Sequence, residues 1–316
     1  MIRCETTPDG ADSMAAIGVD IGNTNHTAAL VSSTGEPLEM LRRKTDRTGG
    51  PAALMSSLAE LLPDLEADAR DRGLGISGIG VGFGGPVDFD SGTLVLSHQN
   101  PGWEGFPLRD QLRMLSGLRV VVDNDANAGG LGEFRFGAGR GVQDMIYYNI
   151  GTGIGGAIVL GGQLRRGPST CAGEIGHVIV YPDGPVCTCG QRGCLEAVAA
   201  GPAISRRLAE LSLEWQGRPA TAEDLFAMVS SGTPGAAQVL GEVVEALAIA
   251  VRNIIHTLNP ELVVLGGGVG STGEILSPLI ERLGEITFPT AFRACRFEGA
   301  RLGYQAGVIG AAALVL

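Results

Sequence analysis

An internal repeat restricts the fold of this chain more than any other feature. Laid over one another at a constant offset of 129 residues, Asp20-Ile21-Gly22 falls on Asn149-Ile150-Gly151, and Ala28-Ala29-Leu30-Val31 falls on Ala157-Ile158-Val159-Leu160. Each copy is an apolar run, a glycine turn and a second apolar run, the pattern of two strands joined by a tight turn. Two copies in successive halves imply two related lobes facing each other across a cleft. The length agrees, since 316 residues make about two domains at ~150 residues each. Hydrophobic residues at 44% and charged ones at 18% are enough to build packed cores and exclude a disordered chain. The 50 glycines have no Gly-x-y period, which excludes collagen and leaves turns and close backbone approaches as their use.

Around the repeat, helical and strand patterns alternate. Residues 15–20 and 27–32 read as strands. Ala53, Leu54, Leu58, Leu61, Leu62 and Leu65 recur at three and four spacing, which predicts an amphipathic helix over 50–73, and residues 76–83 read as a buried strand. A wide apolar stripe from Val239 to Leu258 predicts a long helix that stops at Asn259-Pro260. The run 262–265 enters Gly266-Gly267-Gly268-Val269-Gly270 ahead of a helical pattern over 272–283, which places glycines at a helix N-terminus that favours an anion. This alternation is α/β.

Charge narrows the partners. With 23 basic and 34 acidic residues the net charge is -11, which repels a phosphate polymer, so no nucleic-acid partner is expected. Lys44 is the only lysine, so a Walker-type phosphate loop and a protein-kinase strand lysine are both missing. Phosphate must then meet backbone N–H groups, arginine or a metal. No apolar run is long enough to span a membrane, and the first residues lack a signal-peptide pattern, so a cytoplasmic protein without membrane partners is expected. In that reducing compartment six cysteines are thiols or metal ligands.

Several polar groups carry chemistry. Gly151-Thr152-Gly153-Ile154-Gly155-Gly156 matches Gly-x-Gly-x-x-Gly, yet it precedes the β-branched run 157–160 and Gly161-Gly162, so it is a hairpin and not a dinucleotide motif. Such a loop either offers N–H groups to phosphate or is a plain turn. Asp20, at a strand end, suits a Mg²⁺ or a turn cap. Asp123-Asn124-Asp125-Ala126-Asn127 follows the strand 118–122, where a carboxylate either accepts a substrate proton or caps a helix. His177, Cys187, Cys189 and Cys194 place one imidazole and three thiols within 18 residues, a Cys₃His set for structural zinc. Cys4, Cys171, Cys295, His26, His98 and His256 have no such company and are assigned to packing or surface. Glu174 and Glu196 flank the cluster, either as a glycosidase pair or as acceptors for sugar hydroxyls.

Together these stretches resemble the ROK family of sugar kinases and sugar-responsive repressors, within the actin-like ATPase superfamily. The matching motifs are Asp20-Ile21-Gly22-Asn23-Thr24-Asn25, Asp123 to Asn127, the Gly151 loop, Ala172-Gly173-Glu174-Ile175-Gly176-His177, the cysteine cluster with Leu195-Glu196, and Gly266-Gly267-Gly268-Val269. The resemblance implies a two-lobed actin-like ATPase (ribonuclease H-like) α/β fold with an inter-lobe cleft. Residues 1–14 would be a polar arm, 15–126 with 303–316 a small lobe completed by the C-terminal helix, and 127–302 a large lobe carrying a zinc loop at 177–194. It implies ATP-dependent phosphorylation of a hexose or N-acetylhexosamine, glucose at C6 foremost, by a homodimer or homotetramer. Asp125 would be the base, and Asn100, Asn124, Glu174, His177 and Glu196 sugar contacts. Asp20, Gly22, Thr24, Gly151, Thr152, Gly153, Gly267 and Gly268 would bind ATP with Mg²⁺. His177, Cys187, Cys189 and Cys194 would hold Zn²⁺, with the second ring nitrogen of His177 facing the sugar.

Three positions depart from the family pattern. Asn23 stands where a second glycine is usual, which makes the first turn stiffer or differently held and leaves a non-catalytic sugar-binding or sugar-sensing protein as the alternative. Asn25 occupies a variable position. The sugar loop appears as Gln99-Asn100-Pro101-Gly102-Trp103, one residue short. Only about 15 residues precede the first strand, too few for the helix-turn-helix of family repressors.

Overall fold

The computed structural model of the chain describes residues 13–46, 48–95 and 102–316. Its contacts divide into two units. The first runs to Phe136 and includes Pro168–Thr170 and Gln305–Leu316; the second comprises Gly137–Gly167 and Cys171–Tyr304.

In the first unit, β1 (Met14–Ile21), β2 (Asn25–Ser32) and β3 (Pro37–Lys44) form an antiparallel meander. Helix α1 (Gly50–Asp71) leads into β4 (Gly75–Phe83), which lies parallel to β1. After a small ribbon of β5 (Val87–Asp88) and β6 (Thr93–Leu94), α2 (Leu108–Ser116) leads into β7 (Val120–Asn124), parallel to β4, and α3 (Asp125–Phe136) follows at once. The strand order is β3-β2-β1-β4-β7. Alternate residues Ala15, Ile17, Val19 and Ile21 of β1 pack in one core with Leu54, Leu58, Leu61, Leu62 and Leu65 of α1, the leucines picked out by helical spacing.

The second unit begins with the hairpin β8 (Met145–Ile150) and β9 (Ile154–Leu160), extended by β10 (Gln163–Leu164). Helices α4 (Leu195–Ala199) and α5 (Gly201–Glu210), the ribbon β11 (Glu214–Trp215) with β12 (Arg218–Pro219), α6 (Leu225–Ser230) and α7 (Ala236–Leu258) precede β13 (Leu262–Gly266), parallel to β8. Then α8 (Gly267–Gly270), α9 (Gly273–Ile286) and α10 (Pro289–Ala294) lead to β14 (Arg296–Gly299), parallel to β13. The order β10-β9-β8-β13-β14 repeats that of the first unit, with three antiparallel strands followed by two parallel ones. Ile21 and Ile150, matched by the sequence offset, end the equivalent strands β1 and β8. Val239, Val243, Val244, Leu247, Val251 and Ile255 of α7 are buried in the second core. That helix ends as its sequence predicts, with Asn259 in the left-handed region at φ 46° and Pro260 after it.

The chain then returns to the first unit as α11 (Ala306–Ala313). Its backbone lies directly against β1, β4 and α3 because glycines stand at the crossings. A Cβ on Gly18 would overlap the Val308 carbonyl, one on Gly80 the Ala311 carbonyl, and one on Gly310 the Ala128 carbonyl of α3. The C-terminal helix expected from the sequence is thus admitted by missing side chains. Two features differ from the sequence reading. Strand β3 was not anticipated: its half-exposed residues alternate poorly, and Arg42, Arg43 and Lys44 occupy its end, as suits an edge strand. The run Gly266 to Gly270 also does not open the long helix. Gly267 turns left-handed at φ 81° and makes the one-turn α8, and α9 starts afresh after Thr272. No cumulative dipole stands behind these glycines.

Gly80→Ala should destabilise the protein by about 3 kcal/mol in denaturant melts, because the added methyl has only rigid backbone to meet. Gly241→Ala, on α7 with nothing within 4 Å, should instead gain up to about 1 kcal/mol. A near-neutral Gly80→Ala would contradict the packing described.

Candidate active site

Parallel pairing sets the candidate residues of the first unit on one sheet edge. Asp20, Gly82 and Asp123 are level across β1, β4 and β7, with Ile21, Phe83 and Asn124 one step beyond. Asp20 therefore emerges at the carboxyl end of β1, and Asn124 and Asp125 at that of β7, two strands apart on the edge where α/β sheets bind ligands. Asp20 abuts the first turn of α11, where a Cβ on Gly307 would stand 2.6 Å from its Oδ2. Burial pushes the Asp20 carboxyl up to about 6, against the pull of Arg42. Above that pH it is a half-buried anion whose donor chemistry fits a hard divalent cation.

The β1–β2 turn is held from within and from Thr45, the residue after β3. Gly22 N–H donates to the Asn25 carbonyl at 3.0 Å, Thr45 N–H to the Thr24 carbonyl at 3.0 Å, and the Thr45 hydroxyl to the Gly22 carbonyl at 2.9 Å. Neither Gly22 nor Asn23 has a positive φ, so Asn23 fits the turn without left-handed strain. Thr24 is exposed.

Asn124 caps α3. Its Oδ1 accepts N–H bonds from Ala126 at 2.9 Å and Asn127 at 3.2 Å, while its Nδ2 donates to the Gly85 carbonyl at 3.3 Å. Asp125 Oδ1 also accepts from Ala126 N–H at 2.8 Å. Behind them, Asp123 Oδ1 accepts from Asn124 N–H and from Asn127 Nδ2, and both Asp123 and Asn127 are buried. The capping and functional readings left open by the sequence are compatible: the cap fixes the backbone on which Asp125 is carried.

In the second unit, the Gly151 loop is the hairpin expected, with Ile150 opposite Ile154 and Gly151 N–H bonded to the Gly153 carbonyl at 2.9 Å. The turn is tied to α4 by Glu196, whose Oε2 accepts Ile154 N–H at 3.0 Å. A Cβ on Gly153 would stand 2.7 Å from that oxygen, so the loop closes over the carboxylate because residue 153 is glycine. Glu196 Oε1 accepts from the Thr188 hydroxyl at 3.3 Å, inside the cysteine loop. Gly266 pairs with Asn149, and Gly267 backs onto Ile150, so Gly267, Gly268 and the Gly151 loop are neighbours.

His177, Cys187, Cys189 and Cys194 converge, their donor atoms all lying within 4.8 Å of one another. Cys187 Sγ is 3.6 Å from His177 Nδ1, and Cys189 Sγ is 3.6 Å from Cys194 Sγ. Tetrahedral zinc with bonds of ~2.0–2.3 Å sets ligand atoms about 3.5–3.8 Å apart, so the donor set and spacing fit that ion. Gly193, at φ 73°, lets the loop press on the Tyr181 backbone where any side chain would collide. His177 Nε2 lies 3.9 Å from Glu174 Oε2.

Asn100, with Gln99 and His98, lies outside the described residues, as does Cys4. Cys171 is exposed and Cys295 buried, while His256 Nε2 accepts the Phe288 N–H. Thr45 and Thr188, which tie down the two turns, were missed by the sequence reading, since a lone threonine after a strand or between cysteines carries no periodic signal.

A family model described as "ROK family" matches residues 16–316. A glucokinase of Thermotoga maritima is 38% identical over 95% of this chain and 96% of its own length. Among solved structures, a ROK hexokinase from Thermus thermophilus superposes with a TM-score of 0.83 at 34% identity, covering 96% of this chain and 98% of its own. A ROK family glucokinase from Streptomyces griseus, solved with glucose and AMPPNP, gives a TM-score of 0.77 at 31% identity, covering 95% of this chain and 99% of its own. No helix among the described residues is long and apolar enough to cross a membrane.

The raised pKa of Asp20 generates a stability prediction. Its carboxyl holds a proton more tightly folded than unfolded, so this contribution is complete below about pH 4 and is lost as pH rises through about 6. Asp20→Asn avoids that loss. In magnesium-free buffer the variant should match the parent near pH 4 and exceed it by about 3 kcal/mol above pH 6. A variant equally or less stable across that range would contradict the burial argument.

Proposed function

The chain belongs to the ROK family, and on that footing we propose that it is a sugar kinase moving the γ-phosphoryl group of ATP to a hexose, glucose at its C6 hydroxyl foremost. The observation that carries this reading is the placing of Asp125 at the carboxyl end of β7, on the edge that also presents Asp20 and the Gly22 turn. Asp125 takes the proton of the sugar hydroxyl as its oxygen attacks phosphorus in line. The cap made by Asn124 fixes the backbone that carries Asp125, and the Ala126 N–H donated to Asp125 Oδ1 orients the carboxylate before substrate arrives.

Phosphate oxygens meet backbone N–H groups at the tip of the Gly22 turn, of Thr152 and Gly153 in the Gly151 loop, and of Gly267 and Gly268, with the hydroxyls of Thr24 and Thr152 beside them, while the Gly22 and Gly151 N–H groups close their own turns. Asp20 is the carboxylate that would hold Mg²⁺, which when bound neutralises charge between the phosphates. Sugar hydroxyls are received by Asn100, Asn124, Glu174, His177 and Glu196. A carboxylate has about four acceptor sites, so Glu196 retains capacity for a sugar hydroxyl beside its three protein partners, Ile154 N–H, the Thr188 hydroxyl and Cys187 Sγ. His177, Cys187, Cys189 and Cys194 would hold zinc in a closed structural site, which fixes the His177 ring with Nε2 turned to the sugar and activates no water. The alternative of sugar binding without turnover rested on Asn23, and the turn's freedom from left-handed strain at that residue supports the kinase reading.

Sugar-dependent ADP release, measured over glucose, mannose, fructose, allose and N-acetylhexosamines, should single out glucose. Asp125→Asn should lower kcat by about 10²–10⁴ with little change in sugar KM. No stimulation by any sugar, or an Asp125→Asn variant that keeps its turnover, would refute the assignment. Metal analysis should find about one zinc per chain. Cys189→Ala, a change at the exposed ligand, should lose the ion and raise sugar KM by about 10-fold while ATP KM holds. A parent protein with under about half an equivalent of zinc would contradict the metal site.

A further inference from the structure

His26 was assigned to packing from the sequence, but its surroundings connect it to the Gly22 turn. The residue is 2% exposed in β2, and both ring nitrogens are engaged. Nε2 lies 2.8 Å from Ser57 Oγ of α1, and Nδ1 lies 3.3 Å from Thr45 Oγ1. The Thr45 hydroxyl spends its single proton on the Gly22 carbonyl, so toward His26 it can only accept, and Nδ1 must carry a hydrogen. Burial and the nearby Arg43 hold the imidazole below its usual pKa, so the ring is neutral and Nε2 accepts the Ser57 proton. All three bonds then run in one direction: Ser57 hydroxyl to His26, His26 Nδ1–H to Thr45, and Thr45 hydroxyl to the Gly22 carbonyl.

This chain controls one peptide plane. A trans peptide sets its C=O and N–H on opposite sides, so anchoring the Gly22 carbonyl toward Thr45 directs the Asn23 N–H the other way. If Nδ1 gave up its hydrogen, the Thr45 hydroxyl would turn to donate to His26 and the Gly22 carbonyl would lose its anchor. We propose that His26 is a positioning residue for nucleotide phosphate, holding Thr45 as a donor so that the Gly22–Asn23 peptide is presented in one orientation. The proposal rests on the assignment of the Gly22 turn to phosphate made above. It explains how a turn with Asn23 in place of a second glycine is held: an α1 serine and a β2 histidine brace it from behind.

The test compares variants by calorimetric binding of a magnesium-bound non-hydrolysable ATP analogue, and by KM for ATP and for sugar. His26→Leu keeps the bulk and removes both bonds. His26→Asn retains an N–H near the place of Nδ1. Thr45→Val removes the last link alone. His26→Leu and Thr45→Val should each weaken analogue binding and raise ATP KM by about 10-fold, with sugar KM within about twofold of the parent. His26→Asn should recover most of that loss. If His26→Leu lowers thermal stability but leaves analogue affinity and ATP KM unchanged, the residue is only structural and the proposal fails. Should His26→Leu not fold, Thr45→Val and His26→Asn decide the matter by the same readouts. Asp20→Ala separates the two layers. If it binds the analogue like the parent, the turn is not the phosphate site and the proposal falls with that reading. If Asp20→Ala weakens binding while the His26 and Thr45 variants do not, only the positioning role is overturned.

Discussion

The first unit is organised around a backbone contact that only glycine permits. Helix α11 crosses β1 at Gly18 and β4 at Gly80, and meets α3 where Gly310 faces the Ala128 carbonyl. These crossings bring the last helix within reach of Asp20, which it covers at Gly307. The same approach that closes the core takes water from that carboxylate and raises its pKa to about 6. Stability is thereby surrendered at neutral pH to keep a desolvated anion at a strand end, a familiar trade at functional sites.

The two copies of the repeat solve one problem with different chemistry. Each presents a strand–turn–strand whose turn backbone must hold a fixed orientation. In the first, a hydroxyl from Thr45 grips a carbonyl, backed by His26. In the second, the Glu196 carboxylate grips an N–H and is itself tied to the cysteine loop through Thr188. The sheet order is the same in both units, while the side chains that brace the turns come from unrelated segments. The scaffold is common to both units, and the bracing is particular to each.

Much of this was legible in the sequence because it is local. Apolar spacing located α1 and α7, the β-branched run after Gly156 distinguished a hairpin from a dinucleotide motif, and four donors within one short segment announced the converging His177, Cys187, Cys189 and Cys194 side chains. What was not legible depends on partners distant in the chain. His26 meets Thr45 and Ser57 across 19 and 31 residues, and an isolated buried histidine gives no hint of either. Strand β3 lacks clean alternation because it is an edge. The Gly266 run was read through the helix that follows it, whereas Gly267 breaks the backbone before α9 can begin. Asn124 shows a further limit, since capping and substrate contact call for the same residue type at the same position.

The most direct test of the account is the identity of the product. Protein supplied with magnesium, ATP and ¹³C-labelled glucose would be followed by ³¹P and ¹³C NMR. The account predicts one phosphate ester on the C6 oxygen, formed in step with ADP. An ester at the anomeric oxygen would contradict the attack assigned to C6, and free phosphate released with the sugar unchanged would contradict phosphoryl transfer itself.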